Sequence, residues 1–352
     1  MERDALSLRQ MMVLLTTALL ALATDLLPAL TAQRAGSAGW LVALGALPFL
    51  LIALWAAAGI SRGGGLRRTL GRVPGSILIL IYMIWTLLTL ALSLRLSGAR
   101  LAETYGERPA FLCTVALLAV AVWMGLGKTS AFARAGEIFY LALAVALAGV
   151  LFLAAFKVEG SNFCLSGSEA AALPGCSVAT AGLLLNIFPA SALGRKVTVS
   201  THNGRRAVWW TVVFCIVITL LLGAVIGCMG PRLTARLSAP FFIMVQGLGV
   251  KGAFQRTEAL FVALWALSDL TLAGLLLHSW RELVDQLRPG KWSRWSILPA
   301  AAAALAGGWL LFPEAEKARI FCREILPAFG LIFGLSCPLL VQILLRTRKK
   351  EK

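Results

Sequence analysis

Fixed charge is scarce in this sequence. Only 14% of its 352 residues are Asp, Glu, Lys or Arg, and 16 of them are acidic. Soluble domains carry about 25% charged residues, so this supply cannot cover a water-facing surface and a soluble enzyme is demoted. Histidine is nearly absent, with His202 and His278 far apart. The seven cysteines include no CxxC pair, which removes support for a zinc site. Gly63-Gly64-Gly65 before Arg67-Arg68 lacks the spacing of a phosphate-binding loop. Without a nucleophile–base pair, a metal cluster or a nucleotide loop, neither an enzyme nor a bound cofactor is expected.

Apolar residues make up 59% of the chain, and mean hydropathy is +0.84. They gather in runs nearly free of charge, at 11–30, 40–60, 74–94, 110–126, 136–156, 173–194, 207–230, 257–280, 295–312 and 324–345. Runs of ~20 residues fit membrane helices, whereas a membrane barrel needs alternating segments of about ten. The expectation is an all-α polytopic membrane protein with ten transmembrane helices in one domain, 1–352. Met11 to Leu30 reads as an uncleaved first helix, although Ala21-Leu22-Ala23 resembles a cleavage site. The net charge of +17 would suggest nucleic acid in a soluble chain. Here it reads as orientation and contact with anionic lipid, with no nucleic-acid partner. An even helix count puts both termini on one side. The basic residues at 62–72, 195–206, 281–294 and in the tail 346–352 make that side cytoplasmic. Trp209, Trp210, Trp280, Trp292 and Trp295 fall at helix ends, as interfacial anchors do.

Pro28 and Pro189 interrupt the first and sixth helices at matching depths. Division into five plus five helices, 7–160 and 173–345, makes these the first helix of each half, as in inverted-repeat transporters. The stretches Ala23-Thr24-Asp25-Leu26 and Asn186-Ile187-Phe188-Pro189-Ala190-Ser191 are candidate unwound segments; an ordinary proline kink is the alternative. Asp25 and Asp269 lie deep inside expected spans. Each costs about 2.5–3.5 kcal/mol on insertion scales if charged and unpaired, so each should face a cavity or a partner. Glu258, Trp265 and Asp269 share one face of the eighth helix, with Ser268 beside Asp269. The third helix carries Tyr82, Trp85, Thr86, Thr89 and Ser93 on one stripe, suited to a ligand cavity or to interhelical hydrogen bonds. Ser336-Cys337-Pro338 marks a bend in the tenth. Apolar residues Phe241 to Val245 inside the long connection 231–255 suggest a short helix or lid over the outer mouth. Cys164 and Cys176 could form an outer-face disulfide or stay free thiols.

Residues Gly230-Pro231-Arg232-Leu233, Ala239-Pro240 and Phe254-Gln255-Arg256-Thr257-Glu258-Ala259-Leu260-Phe261, with Trp265 downstream, resemble a known family. It is the permease-like B subunit of GerA-type spore germinant receptors, in the amino acid-polyamine-organocation superfamily. Leu27-Pro28, Arg134-Ala135-Gly136-Glu137 and Phe188-Pro189 add to the likeness, which spans residues 7–345. The resemblance implies a LeuT-type 5+5 inverted repeat with broken first and sixth helices, in the inner membrane of an endospore. It further implies a small-molecule germinant, often an amino acid, and A and C partner subunits. Ligand contacts would come from Thr24, Asp25, Pro28, Tyr82, Thr86, Asn186, Phe188, Pro189, Ser191, Trp265, Ser268 and Asp269. Phe188-Pro189-Ala190-Ser191 departs from the family pattern in lacking Gly-Glu after Phe-Pro, as Asp25 does in a stretch usually uncharged. The rival reading is a secondary amino-acid transporter coupled to H+ or Na+ through Asp25 and Asp269; a scaffold needing no ligand is the third.

Overall fold

A computed structural model describes residues 4–104, 109–164, 166–198, 203–248 and 257–350. The side chain of Glu258 and residues 249–256 of the long connection lie outside the described residues. All ten expected runs fall on helices, and no strand occurs among the described residues. The helices that carry them are α1 (Leu8–Ala35), α2 (Val42–Arg62), α3 (Arg72–Thr104), α4 (Ala110–Leu126), α5 (Thr129–Ala155), α6 (Gly167–Leu184), α7 (Asn203–Met229), α8 (Thr257–Leu287), α9 (Ile297–Leu311) and α10 (Leu326–Thr347). At 1.5 Å per residue α1 is roughly 42 Å long, more than the ~30 Å of bilayer hydrocarbon. Exposed Val, Leu, Ile and Phe on α3, α4, α5, α7 and α10 form the lipid-facing surface of an integral membrane protein.

Local chemistry sets the helix ends. Ser7 and Ser166 each cap a helix, and their own backbone N–H groups donate in return to the side chains of Gln10 and Glu169. Glu169 also accepts from the backbone N–H (3.1 Å) and hydroxyl (2.8 Å) of Ser37, so the start of α6 holds the turn that ends α1. That turn begins at Gly36, whose φ of +52° lies in the glycine-favouring region and whose missing Cβ leaves room for the Glu169 carboxylate.

The paired interruption is realised on one side. Through Pro28, α1 stays α-helical to Ala35, with Pro28 buried inside it. Proline deprives the Thr24 carbonyl of its helical donor, while the Thr24 hydroxyl bonds back to Leu20 (2.9 Å) and Ala21 (3.2 Å) and the ladder continues. The unwinding expected at 23–26 is absent. Helix α6, in contrast, gives way at Leu185 to a 3-10 run of 12 residues, Leu185–Lys196. Such runs rarely exceed 3–4 residues, and longer ones mark strain or a hinge. Asn186 supplies a cause: its amide donates to the carbonyls of Gly182 (3.1 Å) and Leu183 (3.0 Å), competing with the backbone, and Pro189 follows. In the last span a π turn, Ile332–Ser336, precedes Cys337-Pro338, as expected where Pro338 cannot continue the ladder.

Three further expectations are revised. Helix α3 continues beyond 94 to Thr104 and takes Arg95 and Arg100 into the interior, both buried. Cys164 is exposed and Cys176 buried, and both are free thiols. The described part of the outer connection is two short helices, Pro231–Arg236 and Pro240–Leu248, seated on α1 with Phe241 fully buried. Trp209, Trp292 and Trp295 are exposed, as anchors should be, whereas Trp280 donates to Ser296 Oγ at 3.2 Å.

On the face carrying the termini, the N-terminal segment is clamped to the loops beside it. Leu6 pairs with the strand-like turn after the 3-10 run, its N–H reaching Lys196 O and its carbonyl accepting from Thr198 N, both at 2.9 Å. Asp4 accepts from the backbone N–H of Ser130 (2.9 Å) and Thr129 (3.2 Å) and pairs with Lys196 (3.3 Å). Burial pushes the Asp4 carboxyl up, but the Ser130 N–H, the Lys196 charge and the Thr129 donors outweigh it. The net shift is well below the ordinary carboxylate range. A depressed folded-state pKa means that the clamp stabilises above the unfolded value near 3.9 and is lost as pH falls through the folded one. Asp4→Asn should cost about 1 kcal/mol and accelerate amide exchange at Leu6 and Thr198 at neutral pH. Unchanged exchange would show that the clamp contributes nothing.

Candidate functional site

Three ionisable side chains from distant parts of the chain meet where α1, α3 and α8 pack together. Arg100 Nη2 lies 2.9 Å from both carboxylate oxygens of Asp269, and Arg100 Nη1 lies 3.9 Å from Asp25 Oδ2. Relative exposures are 3% for Asp25, 6% for Arg100 and 4% for Asp269, so all three have left water. Ser97 Oγ accepts from the guanidinium at 3.4 Å, and the ring of Phe242 lies 5.2 Å from it in cation–π geometry. Asp25 Oδ1 is buried and has no hydrogen-bond partner among the described residues. Among the described contacts, this guanidinium holds both oxygens of Asp269 and reaches Asp25 at longer range.

Helix geometry explains how α3 delivers Arg100. Tyr82, Thr86, Thr89, Ser93, Ser97 and Arg100 succeed one another at steps of three or four, so the polar stripe continues two turns past the expected end of the helix. All six are buried. The hydroxyls of Thr86, Thr89 and Ser93 donate to carbonyls within α3, at 2.7, 2.9 and 2.9 Å. The stripe's middle is thus satisfied by its own helix, and its two ends reach other elements.

Around the Arg100 end the structure brings together Thr24, Asp25, Trp265, Ser268 and Asp269. Trp265 Nε1 donates to Thr24 Oγ1 at 2.6 Å, and Ser268 Oγ donates to Thr17 O at 2.5 Å, so α8 is bonded to α1 by the residues next to each acid. Phe241 and Phe242 of the short helix Pro240–Leu248 pack on the Trp265 ring at 5.0 and 5.9 Å. Around the other end are Tyr82, Trp85, Asn186 and Phe188. Tyr82 OH donates to Phe333 O (2.9 Å) in the π turn, Trp85 Nε1 donates to Asn186 O (3.2 Å), and the Tyr82 and Phe188 rings are 5.9 Å apart. Tyr82 and Arg100 are five helical turns apart, roughly 27 Å along α3. No small ligand touches both ends, so the expected contact residues form two sites. Pro28 lies one turn beyond Thr24 and Pro189 is buried inside the 3-10 run. Ser191 lines an apolar cavity of about 760 Å³ between α1, α2 and α7.

Arg100 escapes sequence reasoning because the charge-free part of the apolar run ends at residue 94. The sequence Leu94-Arg95-Leu96-Ser97-Gly98-Ala99-Arg100 contains no helix stop, and positions 97 and 100 keep the stripe's period. Arg95, the other buried cation of α3, bonds the carbonyls of Phe312 (3.0 Å) and Pro313 (2.7 Å), where the chain turns by 96° into Ala315–Glu324.

No family model matches the chain, and no curated protein matches it. A solved structure, MhsT in complex with L-phenylalanine, superposes over 91% of this chain and 87% of its own with a TM-score of 0.60 and 15% identity. At that identity the likeness concerns the fold alone. The chain is an all-helical polytopic membrane protein with the LeuT-type architecture.

Removal of one partner from a buried ion pair costs about 3–5 kcal/mol, whereas neutralising the whole cluster costs less. Arg100→Gln alone should therefore lower thermal stability in detergent more than the triple variant Arg100→Gln/Asp25→Asn/Asp269→Asn. A triple variant as unstable as the single one would mean that the charges do not interact.

Proposed function

We propose that this chain is an amino-acid-binding membrane protein of the LeuT fold and acts as a secondary transporter. Its ligand site lies at Asp25, Arg100 and Asp269, beneath Phe241 and Phe242. The observation that carries the reading is the buried, unpartnered Oδ1 of Asp25 beside a guanidinium. A carboxylate and a guanidinium 3.9 Å apart are the complement of a zwitterion, whose ammonium and carboxylate also lie close together. The ammonium would bond Asp25, the carboxylate would face Arg100, and the side chain would lie against Trp265 and the two phenylalanines. That a protein of the same fold holds L-phenylalanine supports the ligand class. The Lys/Arg excess supports cytoplasmic termini, and a role in binding and translocation requires no catalytic group.

A second reading is the germinant-sensing subunit of an endospore, working with A and C partners in the spore inner membrane. It is favoured by the likeness of the segment 230–265 to that family. In this chain the same segment carries the cap whose Phe242 ring lies 5.2 Å from Arg100, so a ligand at the acids would be felt at the cap. Both readings begin with the same bound ligand and differ in the step after binding.

Saturable binding of a single amino acid by the purified chain is expected in either case. Asp25→Asn removes the acceptor of the ammonium, a charge-assisted bond of about 1.5–3 kcal/mol, and should weaken binding about 10- to 100-fold. Unchanged affinity would take Asp25 out of the site. Uptake into proteoliposomes by this chain alone supports transport; binding without uptake supports sensing.

A further inference from the structure

On the face carrying the termini, a cavity of about 630 Å³ is lined by Arg67, Arg68, Arg72, Arg195, Asp285 and Gln286. Its walls come from both halves of the chain: the turn and short helix Leu66–Leu70 that lead into α3, the end of the 3-10 run, and the end of α8. Two of the arginines build it. Arg67 Nη1 donates to the carbonyls of Gln286 (3.2 Å) and Leu287 (2.7 Å) at the C-terminus of α8, and Leu66 N donates to Gln286 Oε1 (3.1 Å). Arg195 pairs with the buried Glu282 at 3.1 Å. The other two, Arg68 and Arg72, are exposed and have no ion pair among the described residues. Four guanidinium groups thus line the cavity against two carboxylates, Asp285 in its wall and Glu282, which is paired with Arg195.

We propose that this cavity binds a phosphate group, and that in the membrane the group is the headgroup of an anionic phospholipid. Guanidinium forks match phosphate oxygens two at a time, and a cluster left with surplus positive charge favours a phosphodiester over a carboxylate. The depth is right for a headgroup: Trp292 and Trp295, just past the end of α8, are 72% and 56% exposed and mark the membrane–water interface on this face. Basic pockets between membrane helices on this side recognise acidic headgroups. Because the walls belong to both halves, a bound headgroup ties the turn before α3 to the ends of the 3-10 run and α8. It favours the state in which this face is closed.

The test uses the purified full chain in neutral detergent, with unfolding followed by tryptophan fluorescence. Phosphatidylglycerol should raise the Tm, and phosphatidylcholine of the same acyl chains should not. Arg68→Gln/Arg72→Gln should lose most of that rise, while Arg205→Gln/Arg206→Gln, an equal loss of exposed charge on the same face, should keep it. Equal responses of the wild type and Arg68→Gln/Arg72→Gln would overturn the site, as would equal loss in both double variants. Inorganic phosphate that reproduces the whole rise in the wild type and not in Arg68→Gln/Arg72→Gln would uphold the phosphate site and overturn the headgroup as its source. Native mass spectrometry of the wild type in a mixture of the two lipids gives a readout independent of the variants. Preferential retention of phosphatidylglycerol supports the proposal, and indifferent retention contradicts it.

Discussion

A single guanidinium held between two carboxylates, far from water, constrains everything around it. Charged groups inside a bilayer persist only when each finds a partner, and here the three partners stand on α1, α3 and α8. Their packing cannot drift without exposing a charge to hydrocarbon. That explains why the surrounding contacts are short and directional. Trp265 bonds Thr24, Ser268 bonds Thr17, and the cap helices press Phe241 and Phe242 on the same cluster. Asp25, the less tightly held of the two acids, keeps one oxygen for something else.

Irregular helix geometry is placed away from this cluster. The sixth span leaves α geometry at Leu185, and the tenth contains a π turn at Ile332–Ser336; both touch the Tyr82 end of the stripe. At the Arg100 end α1 passes Pro28 unbroken. The charged site thus lies about five turns of α3 from the irregular helices, and α3 joins the two. On the face of the termini, Asp4 and Leu6 hold the N-terminal segment against Ser130 and Val197.

The membrane architecture was legible because hydrophobic length is a local property. Each of the ten runs could be read by itself, and Asp25 and Asp269 announced by their cost that partners must exist. Which partner could not be read, since residues 25, 100 and 269 are joined only by the packing of three helices. The stripe on α3 was visible as far as Ser93, and its continuation to Arg100 was hidden by treating an arginine as the end of a span. Pro28 and Pro189 looked equivalent in sequence, yet only the second coincides with a change of helix type. The difference lies in Asn186, whose amide competes for Gly182 and Leu183, while Thr24 bonds back into its own helix.

The central claim is that a fixed guanidinium, and not a captured metal ion, balances the paired acids of this site. The most direct measurement is the thermal shift that a bound amino acid produces in the purified chain, taken in sodium chloride and in choline chloride of equal ionic strength. With Arg100 already between Asp25 and Asp269, the shift should be the same in both salts. A shift that appears only when sodium is present would contradict the claim.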